Sequence, residues 1–541
     1  MDEALYQNGS SFTGLAHHYN AQLHQKGFTF RSSFERNNSA STNSNSPDNI
    51  FLRYTGSLAK RTDYFKTKFT YQSEKSSFSN NSDSVYGSSY AFDQMSLLLS
   101  SSDSNRFTYG INANRRLDYR GVEGAFKAST DGRDASLNLG WKQSRNARFN
   151  LTSSYRELYF KDSSNQLGEP ENTLQGRFET RLVLLKKMIN TNAYYQLGTG
   201  QEQRREYSYF EVGDGNGNYL WNDYDSNGIQ SLNEFELASN FDIGRANFIR
   251  QFLPVQGFIK SYSSEYNQSI RIRPSAILRK TKSKTLKFVR RFSNASSFKI
   301  QKKVTNNQGE FLNPFVQDVS DTVLLTSNSI IRSIMSFNQS SPVFGIDYQW
   351  YKNENKILLI NGVDARNGGE NKLKVRYNIN KNYELIIEAA KGNKTYTSQF
   401  LTDRAFSYDF KTIKPKIGYQ YKSSFRIELY YAYFEAKNGA AYGNEATYNH
   451  DITTELRWNF LNKGTIRTNL GFVNINYKGN DNSPVAYELL AGLKNGRNIK
   501  WRLQIEQRFS NSIQLLINYD GRQSIDSPVI HIGRVQARYL F

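Results

Sequence analysis

The sequence predicts an all-β fold, because apolar and polar residues alternate along most of the chain's 541 residues. Successive side chains of a β-strand point to opposite faces of a sheet, so a period of two gives each strand one apolar and one polar face. The C-terminal stretch shows this most clearly. Its apolar face is formed by Gly533, Val535, Ala537, Tyr539 and Phe541. Its mostly polar face is formed by Ile532, Arg534, Gln536, Arg538 and Leu540.

Further segments repeat the alternation. Their apolar faces are formed by Phe107, Tyr109, Ile111 and Ala113; by Phe425, Ile427, Leu429, Tyr431 and Tyr433; by Ile452, Thr454, Leu456, Trp458 and Phe460; by Ile499, Trp501, Leu503, Ile505 and Phe509; and by Ile513, Leu515, Ile517 and Tyr519. The intervening faces carry too many charges for the core of a sandwich, and the apolar faces carry too many aromatic residues for a solvated surface. This pattern is typical of a sheet with lipid on one side and water on the other.

The predicted fold is therefore a single large transmembrane antiparallel β-barrel over residues 1–541, with about 22–28 strands. A mean hydropathy of −0.69 is compatible with it, since only every second strand residue faces lipid. No apolar run approaches the ~20 residues of a transmembrane helix. The 36 Tyr and 36 Phe suit the aromatic girdles of such barrels. A soluble β-propeller or solenoid is the alternative, but the motifs show no repeat of fixed period.

Short predicted turns alternate with long predicted loops, as at the periplasmic and extracellular ends of a barrel. Short turns containing the Gly and Asn of tight hairpins are predicted at Lys381–Asn382, Asn462–Gly464, Asn495–Arg497 and Ser510–Asn511. Long loops are predicted at 37–48, 76–87, 162–172, 213–244, 305–321 and 437–447. The apolar phase changes between Phe472 and Val473, which predicts a β-bulge or a strand that overhangs the membrane.

The chain is strongly basic, with a formal net charge of +21. The basic residues are spread singly at alternating positions rather than gathered in a patch, so nucleic acid is not an expected partner. Such spacing suits a hydrated lumen, and anionic lipid headgroups or anionic cargo are the expected partners of its field. The predicted lumen residues are Lys500, Arg502, Arg508, Arg534 and Arg538.

One segment carries a metal-binding pattern. Positions 1, 3, 5, 6 and 12 of an EF-hand calcium loop are occupied by Asp223, Asp225, Asn227, Gly228 and Glu234. These positions supply oxygen ligands from alternate residues, the glycine of a sharp turn and a bidentate carboxylate. The Ile229 carbonyl is the predicted backbone ligand, and Ser231 has the position that often acts through water. The prediction is a structural Ca²⁺ site in the extracellular loop 213–244.

A second, poorer frame overlaps the first. Its positions 1, 3, 5 and 12 are occupied by Asp214, Asn216, Asn218 and Asp225, with the Leu220 carbonyl at position 7. Tyr219 replaces the turn glycine of this frame. The alternative for both frames is a metal-free loop, since Asp, Asn and Gly are common in exposed turns. Residues 207–212 read as a strand, so a calcium switch built on paired helices is not expected.

Catalytic patterns are absent from the sequence. The chain has no Cys, and no Ser lies in a nucleophile-elbow motif. His17 and His18 are adjacent, so in a strand they point to opposite faces and cannot hold one metal ion together. The chain is therefore not expected to be an enzyme, and no catalytic residue is assigned.

Residues 489–498, 507–511, 518–522 and 531–538 resemble the barrel ends of large outer-membrane proteins from Bacteroidota, and residues 213–236 resemble a loop of such proteins. A last strand that ends in an aromatic residue, here Phe541, is similar to the signal that the barrel-assembly machinery reads in outer-membrane proteins. The resemblance implies an outer-membrane location, contact with its lipid and lipopolysaccharide, and other envelope proteins as partners. It implies no particular cargo.

Two classes of function follow from these predictions. In the first, the barrel is a transport or secretion conduit with a basic lumen, similar to the type IX secretion translocon. In the second, it is a non-conducting scaffold that anchors missing N-terminal periplasmic domains. The barrel of a TonB-dependent-type transporter is a further alternative. Residues 1–36 resemble strands and not a plug domain, so this alternative requires a plug carried by a longer precursor. Met1–Tyr6 does not begin a signal peptide, so the sequence is expected to be part of a longer precursor.

Overall fold

The computed structural model describes residues 2–5, 11–41, 48–79, 88–102, 106–122, 124–144, 146–161, 171–239, 242–305, 313–315, 323–359, 362–460, 464–509 and 513–539. Most of these residues lie in strands, and the 26 strands belong to one sheet. Each strand pair whose register is described is antiparallel. The predicted all-β class and strand number are thus confirmed. Among the described residues, no helix is both long and apolar enough to cross a bilayer.

The chain divides into two compact units. Unit 1 comprises Met1–Leu182, Asn192–Gly200 and Lys260–Glu265, and unit 2 comprises Val183–Thr191, Gln201–Ile259 and Tyr266–Phe541. Two long strands, β11 (Ile189–Glu211) and β14 (Phe248–Ile272), contribute residues to both units.

Unit 1 is an antiparallel meander in which each strand pairs with the next one along the chain. Its strands are β1 (Asp2–Leu5), β2 (Ser11–Gln25), β3 (Phe28–Ser41), β4 (Asp48–Arg61), β5 (Phe65–Ser79), β6 (Tyr90–Ser101), β7 (Phe107–Val122), β8 (Ala125–Ser144), β9 (Ala147–Phe160) and β10 (Glu171–Leu184).

The register of unit 1 keeps the two faces of the sheet distinct from β2 to β10. One row of paired residues is entirely apolar or aromatic and consists of Leu23, Phe30, Leu58, Phe69, Leu97, Ala113, Ala135, Tyr155 and Leu174. The next row, on the opposite face, is entirely polar and consists of Gln22, Arg31, Ser57, Thr70, Ser96, Asn114, Asp134, Arg156 and Thr173. The apolar row is open to its surroundings, since Leu23 is 62% and Leu97 54% exposed.

Unit 2 contains two short strands and a second meander. The short strands are β12 (Tyr219–Trp221) and β13 (Phe235–Leu237). The meander consists of β15 (Phe292–Val304), β16 (Leu324–Phe337), β17 (Phe344–Leu359), β18 (Gly362–Asn378), β19 (Tyr383–Ser398), β20 (Phe406–Tyr421), β21 (Phe425–Asn438), β22 (Ala446–Phe460), β23 (Gly464–Lys478), β24 (Gly496–Arg508), β25 (Ile513–Ser524) and β26 (Ile530–Tyr539). The helices are α1 (Lys284–Val289), α2 (Pro484–Leu490) and the 3₁₀ turns Leu232–Glu234, Pro274–Ala276, Leu278–Lys280, Thr402–Arg404 and Ala440–Tyr442.

Unit 2 shows the same separation of faces. An apolar row crosses β20 to β26 through Tyr421, Phe425, Trp458, Ile466, Ile505, Ile517 and Val535. The adjacent row on the opposite face consists of Gln420, Arg426, Arg457, Arg467, Gln504, Asn518 and Arg534. The alternation that is visible strand by strand in the sequence is therefore in phase across neighbouring strands. We call these the apolar face and the polar face.

Connections in unit 2 differ between the two edges of the meander. One edge, the loop edge, carries the connections 305–323, 360–361, 399–405, 439–445, 479–495 and 525–529. The other, the turn edge, carries 273–291, 338–343, 379–382, 422–424, 461–463 and 509–512. Long connections thus concentrate at the loop edge as predicted, except that 273–291 is long and lies at the turn edge.

Several predicted connections can be compared with this pattern. The turn at Lys381–Asn382 is confirmed. The short turn predicted at Asn495–Arg497 is wrong, because β24 begins at Gly496 and follows a connection that contains α2. The remaining predicted short turns, at 462–464 and 510–511, lie mostly outside the described residues, as do most of the loops at 76–87, 162–172 and 305–321. Leu540 and Phe541 also lie outside them, so the predicted aromatic terminus is not described.

A small hydrophobic core lies on the polar face at the loop edge. Val485, Ala486, Leu489 and Leu490 of α2 pack on residues from β20, β21 and β23. The residues that receive α2 and its neighbour Leu493 are Tyr408, Ala436, Val473, Ile475 and Tyr477. The core explains the phase change after Phe472, because the residues that follow it turn their apolar side chains toward α2. Pairing of β23 with both neighbours continues without a register shift, so the predicted bulge is wrong.

Leu489→Ala is expected to loosen α2 from the sheet. Leu489 is 1% exposed, and removal of a buried leucine side chain costs about 2–5 kcal/mol. Hydrogen exchange of residues 484–493 should become faster. Val343→Ala, at a position 51% exposed in a turn, is the control and should leave exchange unchanged. Equal exchange in both variants would contradict the assignment of this core.

Candidate functional site

The described residues between β11 and β14, 212–239 and 242–247, fold into a defined structure. Within them β12 pairs with β13, and Tyr219 also pairs with Phe248 of β14. Gly217 lies so close to β14 that a Cβ atom there would be 2.5 Å from the Phe248 nitrogen, so this position requires glycine. Phe235, 3% exposed, stacks on Tyr209 with ring centroids 4.1 Å apart. The predicted long loop thus contains a hairpin anchored on β11 and β14.

This segment lies against the polar face of β25 and β26, and we call it the polar-face loop. Arg522 Nη1 lies 2.6 Å from Asp242 Oδ1, and Arg534 Nη2 donates to the Asp214 carbonyl over 3.5 Å. Gly244 packs on Ile532, which would be 3.4 Å from a Cβ atom at that glycine. Because Arg522, Ile532 and Arg534 share the polar face, the loop covers part of it.

Helix α2 holds the polar-face loop from a second side. The Tyr487 hydroxyl donates to Asp242 Oδ2 over 3.3 Å, and the Ser239 backbone N–H donates to the Tyr487 oxygen over 3.3 Å. Gly492, with φ +75°, follows the helix at a point where a Cβ atom would collide with the Asp242 carboxylate. The core under α2 therefore also supports the loop.

A buried ion pair fixes the loop to the connection between β19 and β20. Arg404 Nη2 lies 2.7 Å from Glu236 Oε1, and Arg404 Nη1 donates to the Phe235 carbonyl over 3.0 Å. Arg404 is 6% and Glu236 8% exposed. Burial raises the pKa of the Glu236 carboxyl, and the Arg404 charge opposes that shift. The pKa of Asp242 is likewise raised by burial and opposed by Arg522. Each carboxylate therefore depends on its arginine to stay ionised in this site.

The loop, α2 and the 402–404 turn form one cluster that sequence reasoning missed. The alternation of apolar and polar residues places Arg522 on the polar face, but this pattern does not identify Asp242 as the partner of Arg522. Glu236 and Arg404 are far apart in sequence, and a single sequence carries no signal that joins them.

The predicted lumen arginines and lysine do share the polar face: Lys500 Nζ lies 2.7 Å from Asp451 Oδ2, Arg502 pairs with Asp520, and Arg534 contacts the loop.

The remaining two predicted lumen residues lie at the turn-edge ends of their strands. Arg508 and Arg538 both pair in register with Gln514 of β25, which places them on the polar face. Arg538 Nη2 donates to Gln536 Oε1 over 3.3 Å. All five predicted lumen residues thus share one face, and the contacts described here engage four of them: Lys500, Arg502, Arg534 and Arg538.

The first predicted calcium frame forms a tight turn around one carboxylate. Asp223 accepts hydrogen bonds at Oδ1 from the Asn227 backbone N–H, over 3.1 Å, and at Oδ2 from that of Gly228, over 2.9 Å. Gly228 has φ +72°, which a side chain would strain. Asn227 Oδ1 accepts from the Ile229 backbone N–H over 2.6 Å. The turn thus has a defined conformation in which alternate residues carry oxygen atoms.

Three carboxylates of this frame converge. Oxygen atoms of Asp223, Asp225 and Glu234 lie within 4.8 Å of one another. Glu234 is 2% exposed, and its Oε2 accepts from Trp221 Nε1 over 2.9 Å and from the Ser231 backbone N–H over 3.0 Å. Within the described part of the chain, no Lys or Arg is paired with it. Oxygen-only donors around a buried carboxylate suit a hard cation such as Ca²⁺.

The second predicted frame is not gathered in the same way. In the part of the chain that the structure describes, the carboxylate cluster does not include Asp214. The Asn216 and Asn218 backbone N–H groups donate to the carbonyls of Gly213 and Phe248, and Leu220 lies in β12 opposite Glu236. These residues form the base of the hairpin.

Comparisons with known proteins return neither a matching protein-family model nor a matching curated sequence. Among solved structures, the outer membrane transporter YddB from Escherichia coli has a TM-score of 0.33 and 9% identity, over 91% of this chain and 75% of that one. The siderophore receptor PirA from Pseudomonas aeruginosa has a TM-score of 0.33 and 8% identity, over 94% and 80%. The FrpB iron transporter from Neisseria meningitidis has a TM-score of 0.33 and 8% identity, over 92% and 82%.

These neighbours are transporters and receptors. At such TM-scores and identities the likeness transfers neither cargo nor mechanism to this chain.

A double-mutant cycle should show that Arg404 and Glu236 act as one unit. Arg404→Met leaves the Glu236 carboxylate buried and unpaired, which costs about 3–5 kcal/mol. Hydrogen exchange across 219–237 should then become faster. The double variant Arg404→Met/Glu236→Leu should recover much of the loss, because it removes both charges. Equal exchange in the single and double variants would show that the pair does not hold the loop.

Proposed function

We propose that the chain is an integral outer-membrane β-barrel that acts as a conduit, with the polar-face loop narrowing its lumen. The observation that carries this proposal is the pair of matched rows in each unit, one apolar and one polar. A continuous exposed apolar row across nine strands is not compatible with water on both faces of the sheet. Lipid against the apolar face and water against the polar face satisfy both rows.

Closure of the sheet is part of the proposal. An open sheet in a bilayer leaves the backbone groups of its first and last strands without hydrogen-bond partners, at a cost of several kcal/mol for each group. Closure removes both edges and places the polar face inside. The assignment to the outer membrane, with lipid and lipopolysaccharide around it and assembly through the last strand, follows the resemblance of the C-terminal residues and belongs to this proposal.

The polar face supports a conduit with a basic lumen. Its rows carry Arg426, Arg457, Arg467 and Arg534, and the chain as a whole has a net charge of +21. An ion that crosses such a lumen meets a field that favours anions. The polar-face loop occupies part of the cross-section on the loop-edge side, which favours a restricted passage. A fully obstructed lumen would make the protein a scaffold, the second candidate function.

Planar bilayers distinguish conduit from scaffold. Purified protein should pass ions with anion preference. Replacement of residues 219–237 by a short Gly-Ser linker should raise the single-channel conductance, because the hairpin no longer covers the polar face. The control replaces 379–382 at the turn edge and should not change conductance. Variants that retain heat-modifiable mobility on gels count as folded.

Two outcomes would contradict the proposal at different levels. The absence of current from both the complete chain and the loop replacement would support the scaffold. Protein that stays monodisperse in buffer without detergent would show that the apolar face is covered by protein, and the membrane assignment would fail.

We also propose that the turn around Asp223 binds a structural calcium ion. Its support is the convergence of Asp223, Asp225 and Glu234 within 4.8 Å and the burial of Glu234. Asn227 and the Ile229 carbonyl complete an oxygen donor set, with Ser231 acting through water. When bound, the ion offsets two of the three carboxylate charges and fixes the outer end of the polar-face loop.

Terbium, which replaces calcium in oxygen sites, gives a direct test. Trp221 donates to Glu234 Oε2, so excitation of this indole should sensitise luminescence of a bound terbium ion. Calcium should quench the signal by competition, and Glu234→Gln should lower it at least tenfold. Asp214→Asn, which alters only the second frame, is the matched control. An undiminished signal in Glu234→Gln, or protease resistance of 213–244 that chelator leaves unchanged, would contradict the site.

A further inference from the structure

The turn edge of unit 2 carries a concentrated basic segment. Residues 273–291, between β14 and β15, contain no Asp or Glu. Their basic residues are Arg273, Arg279, Lys280, Lys282, Lys284, Lys287, Arg290 and Arg291. The prediction that basic residues are spread singly along the chain is therefore wrong for this segment. The neighbouring turn between β10 and β11 adds Lys186 and Lys187, because the Arg273 backbone N–H donates to the Met188 carbonyl over 2.7 Å.

These residues surround a cavity. Its volume is about 860 Å³, and the basic side chains that line it are Lys186, Lys187, Arg273, Arg279, Arg290 and Arg291. Neutral polar residues from the β16–β17 turn, including Asn338 and Ser341, complete its wall. We call the space lined by these six basic side chains the cationic cavity.

The residues that the structure describes do not neutralise the charges of the cationic cavity. In the part of the chain that the structure describes, none of the six side chains forms an ion pair. Arg290 Nη1 donates to the Arg279 carbonyl over 3.3 Å, and Arg291 Nε donates to Asn338 Oδ1 over 2.5 Å. The Arg291 guanidinium also lies 4.6 Å from the centroid of the Phe337 ring. These neutral partners position the two guanidinium groups without neutralising their charge. Like charges at such density repel one another, so an anion inside the cavity stabilises it.

Helix α1, within the same segment, packs on the apolar face. The Phe288 ring lies 5.3 Å from that of Phe292 and 5.5 Å from that of Phe337. Phe337 pairs with Ile346, and Ile346 with Val375, so the aromatic contact lies on the face assigned to lipid. Leu286, Phe288 and Val289 are 41%, 52% and 39% exposed. Exposed apolar residues interleaved with lysines and arginines are typical of a segment at the level of lipid headgroups.

We propose that the cationic cavity binds the phosphate of an anionic phospholipid headgroup, while α1 contacts the acyl chains. This inference rests on the proposed membrane barrel, because it needs lipid against the apolar face. The planar guanidinium groups of Arg273, Arg279 and Arg290 suit bidentate contacts to phosphate oxygens. The continuity of the cavity with Phe288 favours a lipid over a free anion, which would gain nothing from the apolar contact.

Lipid retention tests the proposal. The protein is reconstituted in nanodiscs that contain both phosphatidylglycerol and phosphatidylcholine. Native mass spectrometry then releases the protein from the nanodiscs and counts the lipids of each kind that remain bound. The complete chain should retain phosphatidylglycerol over phosphatidylcholine. Arg273→Gln/Arg279→Gln/Arg290→Gln should lower that preference at least tenfold, since each basic residue near an anionic lipid surface strengthens the attraction to it. Retention should also weaken with salt.

The control removes the same charge at the other edge. Lys437, Lys478 and Lys494 lie at the loop edge, and Lys437→Gln/Lys478→Gln/Lys494→Gln should leave the preference intact. Equal loss in both triple variants would show a field effect and overturn the site. If the arginine variant does not fold, Lys186→Gln/Lys187→Gln supplies the same comparison with a smaller expected loss, of about threefold or more.

Two competitors distinguish the lipid from other anions. Inorganic phosphate at millimolar concentration should not displace the retained lipid, and displacement would show a site for free anions. Polyglutamate should not displace it either, and displacement would show a docking site for acidic polypeptide. A negative result for the lipid site can be distinguished from a negative result for the membrane barrel. A protein that lacks only the lipid site would still require detergent and would still conduct ions.

Discussion

The constraint on which the structure depends is the register of the sheet. Because side chains alternate with a period of two, a slip of one residue in any strand pair would move a polar row onto the apolar face. The observed pairings avoid this over nine strands in unit 1 and seven in unit 2. Every other element is placed with respect to these faces. The polar-face loop and α2 cover the polar face at one edge, and α1 packs on the apolar face at the other.

Strand positions could be predicted because their signal is local. Phe425 to Tyr433 or Ile499 to Ile505 alternate within one strand, and no distant residue is needed to interpret them. The phase change at Val473 is equally visible, but the alternation does not show its cause, which is the packing of α2 on the residues that follow Phe472. A short helix such as Pro484–Leu490 gives too few turns for a helical period to stand out. The β12–β13 hairpin is similarly hidden in a run of Asp, Asn and Gly.

The candidate sites also differ in whether their residues are local in sequence or are brought together only by the fold. The convergence of Asp223, Asp225 and Glu234 could be predicted because these residues lie within one short segment, so their spacing alone brings the carboxylates together. The ion pairs Arg404–Glu236 and Arg522–Asp242 join residues that only the folded sheet brings together. Each pair holds a buried carboxylate, so loss of its arginine would leave an uncompensated buried charge and destabilise the fold. The cationic cavity is intermediate: the basic run 273–291 is plain in the sequence, but the aromatic contact that joins this segment to the apolar face is not.

The two docked elements also define an orientation. Short turns and the basic helix lie at one edge, and long connections with the carboxylate turn lie at the other. A helix that presents lysines, arginines and apolar side chains is stable at a surface of anionic phospholipid, whereas clustered carboxylates need cations from solution. In an outer membrane these requirements favour the turn edge on the phospholipid side and the loop edge outside. In the proposed barrel, that arrangement would put the polar-face loop at the external entrance of the lumen, where a cation bound at Asp223 would make the loop more rigid.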